Sequence, residues 1–104
     1  MKKKTVLEIE ENVEGLLAYV LGWITGLIFL IIEKNKFVRF HALQSLIVFG
    51  FLNMVFLLLS PLIPFIKFFL LIISLIVWIV SMIEAYNHEW FKWPIAGSIA
   101  EKYA

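Results

Sequence analysis

Three long runs of apolar residues dominate the chain, and a charged link separates the first run from the second. Residues 15–32, 42–60 and 68–83 carry no charged side chain. As α-helices, the first two runs would extend about 27 and 28 Å, close to the thickness of a bilayer's hydrocarbon core. In lipid, a spanning segment must pair its own backbone polar groups. Long apolar runs of this kind therefore predict helices rather than strands.

The pattern predicts an all-α integral membrane protein with three transmembrane helices in a single membrane domain of residues 1–104. Ser60-Pro61 and Pro64 interrupt the apolar sequence after the second run, which predicts a tight hairpin between the second and third helices. Lys67 would snorkel to the interface at the start of the third helix. The predicted segments are a mobile polar N-terminus at 1–12, helices at about 13–32, 37–60 and 64–86, and a short interfacial helix at 94–103.

Composition and charge exclude several classes of protein. Apolar residues make up 62% of the 104 residues and charged residues only 16%, against roughly a quarter charged in an average soluble domain. A soluble monomer this short cannot bury so much apolar surface. The net charge of +1 argues against nucleic acid as a partner, since nucleic-acid binding usually needs a clustered basic face. The absence of cysteine excludes disulfides, thiolate catalysis and cysteine-ligated metals.

Polar side chains gather where the second predicted helix begins and the third ends. We call this set the polar collar: Arg39, His41, Gln44 and Ser45 at the start of the second helix, and Glu84 at the end of the third. The three-helix topology puts both ends on one side of the membrane, so we expect Glu84 to meet Arg39 or His41. One interpretation is a structural clamp. The other is a proton-sensitive or substrate-binding site, because ionisable groups at membrane depth are functional candidates.

A second set of residues is typical of helix packing in membranes. Ala18, Gly22 and Gly26 are spaced by four in the first predicted helix, a pattern that lets another helix approach closely. This stripe would pack within the chain or form a homodimer. Asn53 and Ser74 fall at similar depth in the second and third helices. We interpret them as an interhelical hydrogen bond or, alternatively, as the polar lining of a substrate path.

No catalytic or metal-binding pattern is visible. Glu84 and His88 are four residues apart, but two ligands do not make a metal site. The sequence has no nucleophile elbow, glycine-rich phosphate loop or HExxH pattern. We therefore predict a protein that is not an enzyme and has no cofactor.

Four blocks of the sequence carry a resemblance to known proteins: NVEGLLAY at 12–19, GWITG at 22–26, EKNKFVRFHALQS at 33–45 and WPIAGSIAEK at 93–102. They resemble a family of small prokaryotic multi-pass membrane proteins of unknown function. The block FVRFHALQS is the most specific. The family is in turn remotely similar to the Tic-type import component of the chloroplast inner envelope, which has an additional helix. The resemblance implies a multi-pass membrane protein and does not supply a reaction.

The sequence thus predicts a non-enzymatic interaction or assembly component of a prokaryotic cell membrane. Its expected partners are the lipid bilayer and either a second copy of the chain or another membrane protein. The alternative is an oligomeric transport or protein-translocation component, since three helices alone enclose little room for a pore.

Overall fold

The computed structural model describes residues 9–104, which fold into five α-helices. The predicted all-helical class is confirmed, but the boundaries of the helices differ from the predicted ones. The helices are α1 (Glu11–Val20), α2 (Trp23–Ile32), α3 (Lys36–Leu59), α4 (Ile66–Tyr86) and α5 (Ala96–Tyr103).

The prediction of one continuous helix at 13–32 is wrong, because the chain breaks between α1 and α2. Gly22 has a φ of 66°, a left-handed conformation that glycine adopts readily and other residues rarely do. Side chains replace the helical hydrogen bonds lost there. The hydroxyl of Thr25 accepts from the Leu21 amide at 3.2 Å and donates to the Ala18 carbonyl at 3.0 Å. The hydroxyl of Ser45 in α3 donates to the Gly22 carbonyl at 2.9 Å.

The two short helices form a hairpin that lies along α3. The amide of Asn35, just after α2, donates to the carboxylate of Glu11 at 3.0 Å, so the hairpin begins and ends at the same place. Where α2 crosses α3 the backbones are very close. A Cβ atom at Gly26 would lie 2.6 Å from the Ala42 carbonyl oxygen. The chain therefore runs alongside α3 in α1, turns at the break and returns in α2.

Helix α4 runs antiparallel to α1 and completes the bundle at one end of the molecule. The side-chain amide of Asn12 donates to the Tyr86 carbonyl at 2.9 Å, and the Trp78 indole donates to the Tyr19 carbonyl at 2.8 Å. We call the end of the bundle that holds the start of α1, the end of α2, the start of α3 and the end of α4 the closed end. The capping amide of Asn35 also begins α3 there, accepting from the Val38 amide at 3.1 Å.

Within residues 9–104, only α3 and α4 extend beyond the tip of the hairpin. At about 1.5 Å per residue they reach about 36 and 32 Å, whereas α1 and α2 each reach about 15 Å. We call residues 50–59 of α3 and 66–76 of α4 the uncovered half. Its large apolar side chains are mostly exposed, among them Phe51 (63%) and Phe68 (75%).

The prediction of three membrane-spanning helices is therefore corrected to two. Within residues 9–104, α3 and α4 are long and apolar enough to cross a bilayer, and α2 is apolar but too short. In a membrane, the α1–α2 hairpin would enter and leave on the same side, reaching about half the hydrocarbon thickness.

The remaining elements follow the sequence more closely. The tight turn between α3 and α4 is present, with the Ile63 amide donating to the Leu59 carbonyl at 2.8 Å. The predicted C-terminal helix is α5, which buries Ala96 and Ala100 and packs on α3. The predicted mobile N-terminus falls largely at 1–8, outside the described residues, and its last residues Glu11 and Asn12 belong to α1.

This topology predicts which side of the membrane each end occupies. The closed end holds most of the basic residues in the described part of the chain, and the α3–α4 turn is flanked by one. The positive-inside rule therefore predicts a cytoplasmic closed end. The basic residues of the closed end are Lys34, Lys36, Arg39, Lys92 and Lys102, and the one beside the turn is Lys67.

Single-cysteine labelling tests this arrangement, since the chain has no cysteine of its own. A membrane-impermeant maleimide should label Leu62→Cys in intact cells and Glu10→Cys only after permeabilisation. A chain with three spans would place these two positions on the same side. Equal labelling of both variants in intact cells would therefore contradict the hairpin.

Candidate functional site

The chain after α4 folds back over the start of α3. We call residues 88–95 the strap. Positive φ angles of 61° at His88 and 68° at Ile95 mark its two ends. A β-branched residue at positive φ costs of order 1–3 kcal/mol and persists only where surrounding contacts hold it. The strap must therefore be fixed by interactions elsewhere along its length.

Two polar-collar residues hold the strap through its backbone. The side chain of Gln44 donates to the Phe91 carbonyl and accepts from the Trp93 amide, both at 2.8 Å. The Nε2 atom of His41 lies 2.8 Å from the Glu89 carbonyl oxygen. Since a carbonyl oxygen can only accept, this nitrogen carries the proton. Alternate residues of the strap are thus bound by side chains one helical turn apart on α3.

Tyr19 of α1 connects these two side chains. The proton on Nε2 leaves Nδ1 of His41 as an acceptor in the neutral ring, and the Tyr19 hydroxyl donates to it at 2.7 Å. The same hydroxyl oxygen accepts from Gln44 at 2.9 Å. We call Tyr19, His41 and Gln44 the polar network. All three are fully buried, and their hydrogen bonds run in one direction, from amide to hydroxyl to imidazole to strap.

Aromatic rings and an indole complete the attachment of the strap. The Phe37 and Phe40 rings contact the His41 ring edge-on, with centroids 4.6 and 5.0 Å away. Trp93 donates its indole N–H to the Ser81 hydroxyl at 2.8 Å, which ties the strap to α4. Because the rings exclude water and every donor is engaged, the network can hold backbone in place. It presents no activated nucleophile or accessible base.

The other polar-collar residues lie apart from the network. Arg39 donates to the carbonyls of Leu30 and Glu33, the latter at 3.2 Å, and so caps the C-terminal end of α2. Ser45 binds the Gly22 carbonyl at the hairpin tip. Glu84 is half-buried, and within residues 9–104 no hydrogen bond or ion pair joins it to Arg39 or His41. The expected contact of Glu84 with these residues is therefore not formed.

The residues of the predicted packing stripe pack against other parts of the same chain. Ala18 is fully buried in α1 and Gly26 contacts α3, but Gly22 belongs to the break, so the three do not share one helix. Asn53 and Ser74 line a common cavity of about 330 Å³ below the hairpin tip. No hydrogen bond joins these two side chains in the described part of the chain.

Sequence reasoning missed the groups that complete the site. Tyr19, Trp78 and Trp93 lie within or beside apolar runs, where their polar atoms are easily overlooked. Their polar tips bind, respectively, the imidazole, the α1 backbone and a serine. A useful signal is that buried tyrosine and tryptophan usually need a hydrogen-bond partner. Their positions opposite the polar collar only become visible once the hairpin is known.

No metal site is evident in the part of the chain that the structure describes. The described residues contain no group of three or more His, Asp or Glu side chains that could hold a metal ion. Glu84 and His88 are not on one helix, because α4 ends at Tyr86 and His88 has a positive φ.

Comparison with known proteins places the chain in a family. Residues 10–100 match the model of a family described as the magnetosome magnetite crystal formation protein family. The chain belongs to this family. A UPF0132 membrane protein of Methanocaldococcus jannaschii is 48% identical over 101 residues, which cover 93% of this chain and 72% of the relative. A second from the same organism is 46% identical over 97% of this chain and 94% of the relative.

Another relative, a UPF0132 membrane protein of Archaeoglobus fulgidus, is 44% identical over 90% of this chain and 95% of its own length. These relatives confirm the resemblance to small prokaryotic membrane proteins and the localisation in the membrane. They give no support to the more remote likeness to the Tic-type import component. No solved structure matches the chain.

Replacing Gln44 tests the attachment of the strap. Gln44→Leu leaves the Phe91 carbonyl, the Trp93 amide and the Tyr19 hydroxyl without this partner. Each buried group left unsatisfied costs about 1–3 kcal/mol. We expect the strap to detach, so that trypsin cleaves after Lys92 much faster in detergent micelles. Asn53→Leu is a matched control, since it is the same kind of change on the same helix. Equal cleavage of both variants would contradict the role of Gln44.

Substitution of Gly97 tests the close contact between the strap and α5. A Cβ atom there would lie 2.3 and 2.6 Å from the Lys92 Cβ and Cα atoms. Gly97→Ala must therefore push α5 away from the strap, at a cost of about 1–3 kcal/mol. We expect the thermal unfolding midpoint in detergent to fall by about 4 °C or more. The exposed Ser98→Ala variant should keep the wild-type midpoint, and a similar midpoint for Gly97→Ala would refute the close contact.

Proposed function

We propose that the protein is a non-enzymatic assembly component of the membrane, which binds another membrane protein through the uncovered half of α3 and α4. The observation that carries this proposal is the length of the hairpin. It covers α3 and α4 only from the closed end to about their middle. Beyond the hairpin tip most of the large apolar side chains of these two helices are exposed, although Leu70 is buried.

The use of the polar residues supports a non-enzymatic role. The polar network, Ser45 and Arg39 all bind backbone groups of the same chain. A catalytic site needs a nucleophile, acid or base that can reach a substrate. Here the imidazole of His41 is buried behind aromatic rings, with both nitrogens engaged. The conspicuous polar side chains thus support the fold rather than a reaction.

The uncovered half contains a polar group at lipid depth. Asn53 is exposed there, about 16 Å along α3 from Ala42 and about 10 Å from Ser60. Acyl chains offer no hydrogen bond, so an exposed amide at this depth favours association with a polar side chain of another helix.

Transport is the second candidate, and one observation favours it. Two short helices meeting in the middle of the membrane are also a feature of transporter binding sites. Below the tip lies the cavity of about 330 Å³ lined by Asn53 and Ser74. Irregular backbone at membrane depth needs either protein or water to satisfy it. Thr25 and Ser45 supply such bonds at the break, which favours assembly over a water-filled path.

Photo-cross-linking in native membranes tests the assembly proposal. A photo-reactive side chain at Met54, in the uncovered half, should form a protein adduct of defined mass. The same group at Ile28 on the hairpin should form lipid adducts only. Both positions are exposed, at 59% and 47%, which makes Ile28 a matched control. Lipid adducts alone at both positions would refute the proposal.

Thiol accessibility separates the two candidates. Ser74→Cys lines the cavity and should react slowly or not at all with a water-borne, membrane-impermeant reagent if the protein is an assembly component. Rapid reaction from the aqueous phase would favour transport, because it requires water at this depth.

A further inference from the structure

One face of α3, which lies mostly in the uncovered half, lines a groove at the surface of the protein. Its residues recur at spacings of three and four, so they lie on one side of an α-helix. Together with Trp23 at the hairpin tip they line a groove of about 390 Å³. We call it the α3 face; it consists of Leu46, Gly50, Asn53, Met54, Leu57 and Leu58.

The α3 face carries the unpaired amide. Within residues 9–104, the side chain of Asn53 makes no hydrogen bond, although the side chain of Gln44 on the same helix has both its polar atoms engaged. An occupant of the groove must therefore bring a hydrogen-bonding group to the depth of Asn53. Lipid tails bring none.

The backbone of α3 at Gly50, close to the Asn53 side chain, is not covered by any described residue. A Cβ atom at Gly50 would meet no atom within 4 Å, whereas one at Gly26 would collide with α3. Small residues at a membrane helix surface allow a second backbone to approach closely, which gains packing contacts in the absence of a hydrophobic driving force. The larger side chains of Leu46 and Leu57 flank this gap one to two turns away.

We propose that the occupant is a second copy of the chain, which forms a parallel homodimer through the α3 face. This inference rests on the proposed function and names its partner. A two-fold axis along the membrane normal brings identical residues together at the same depth and keeps both closed ends on one side. Asparagine both donates and accepts, so the two Asn53 amides satisfy each other. A different protein would need a matching polar group at that depth, which symmetry supplies here.

Disulfide trapping tests the face. The full chain, reconstituted in phosphatidylcholine–phosphatidylglycerol vesicles, should form a covalent dimer on oxidation of Met54→Cys. Ile72→Cys on α4 is the matched control, because it lies at similar depth and is equally exposed (58% against 59%). It should remain monomeric. Equal cross-linking at both positions would overturn the proposal.

The role of the amide is tested by association measurements. Asn53→Leu should lower the dimer association constant roughly 3- to 30-fold, as expected for the loss of interhelical hydrogen bonds in a membrane. The fold should survive, because the change removes an unpaired polar group from lipid. Asn53→Gln should retain more association than Asn53→Leu, and Ser74→Ala should not differ from wild type. An unchanged constant in Asn53→Leu would overturn the proposal.

The mass of the photo-adduct at Met54 separates this inference from the proposed function. An adduct of twice the 12.1 kDa chain mass supports the homodimer. An adduct of any other protein mass would overturn the homodimer while leaving the assembly role intact. Lipid adducts alone would overturn both.

Discussion

Backbone groups outside the helices must be paired within the protein, and α3 supplies those bonds. The strap and the hairpin tip both place irregular backbone against it. In a membrane such backbone is tolerated only where other groups satisfy it. His41 and Gln44 bind the strap, and Ser45 binds the hairpin tip. These three side chains lie within five residues of one helix, so α3 fixes the positions of α1, α2 and the C-terminal segment together.

This constraint explains the composition of two of the sequence blocks that carry the resemblance to known membrane proteins. The block at 37–45 combines aromatic rings with His41, Gln44 and Ser45, and the block at 93–102 supplies Trp93 and Gly97. The first block provides donors and acceptors, and the second provides the backbone and the close approach that they require. The two blocks are far apart in sequence but form one contact. The composition of the two blocks is therefore explained by their contact with each other, without a ligand.

The sequence predicted those parts of the fold that depend on the length and polarity of an apolar run. It did not predict the chain reversal, which depends on the backbone conformation of a single residue. The runs at 42–60 and 68–83 predicted α3 and α4, and Pro61 and Pro64 predicted the turn. The run at 15–32 has the length of a span, but Gly22 turns the chain back. Spacing alone could not show this, because Gly22 and Gly26 fit a packing stripe equally well. The sequence places Arg39 near the end of α4, but the α1–α2 hairpin brings the end of α2 closer, so Arg39 binds the Leu30 and Glu33 carbonyls rather than Glu84.

Two amides on α3 show how the hairpin divides the helix. Gln44 lies beside the hairpin, where the strap and Tyr19 engage its oxygen and nitrogen. Asn53 lies nine residues further on, beyond the hairpin tip, with the same functional group and no partner in the described chain. The two amides differ because the α1–α2 hairpin and the strap supply hydrogen-bond partners to Gln44, whereas the hairpin tip supplies none to Asn53. A hairpin of two short helices stabilises the closed end and, by the same geometry, leaves an amide and a bare glycine backbone available to a second protein.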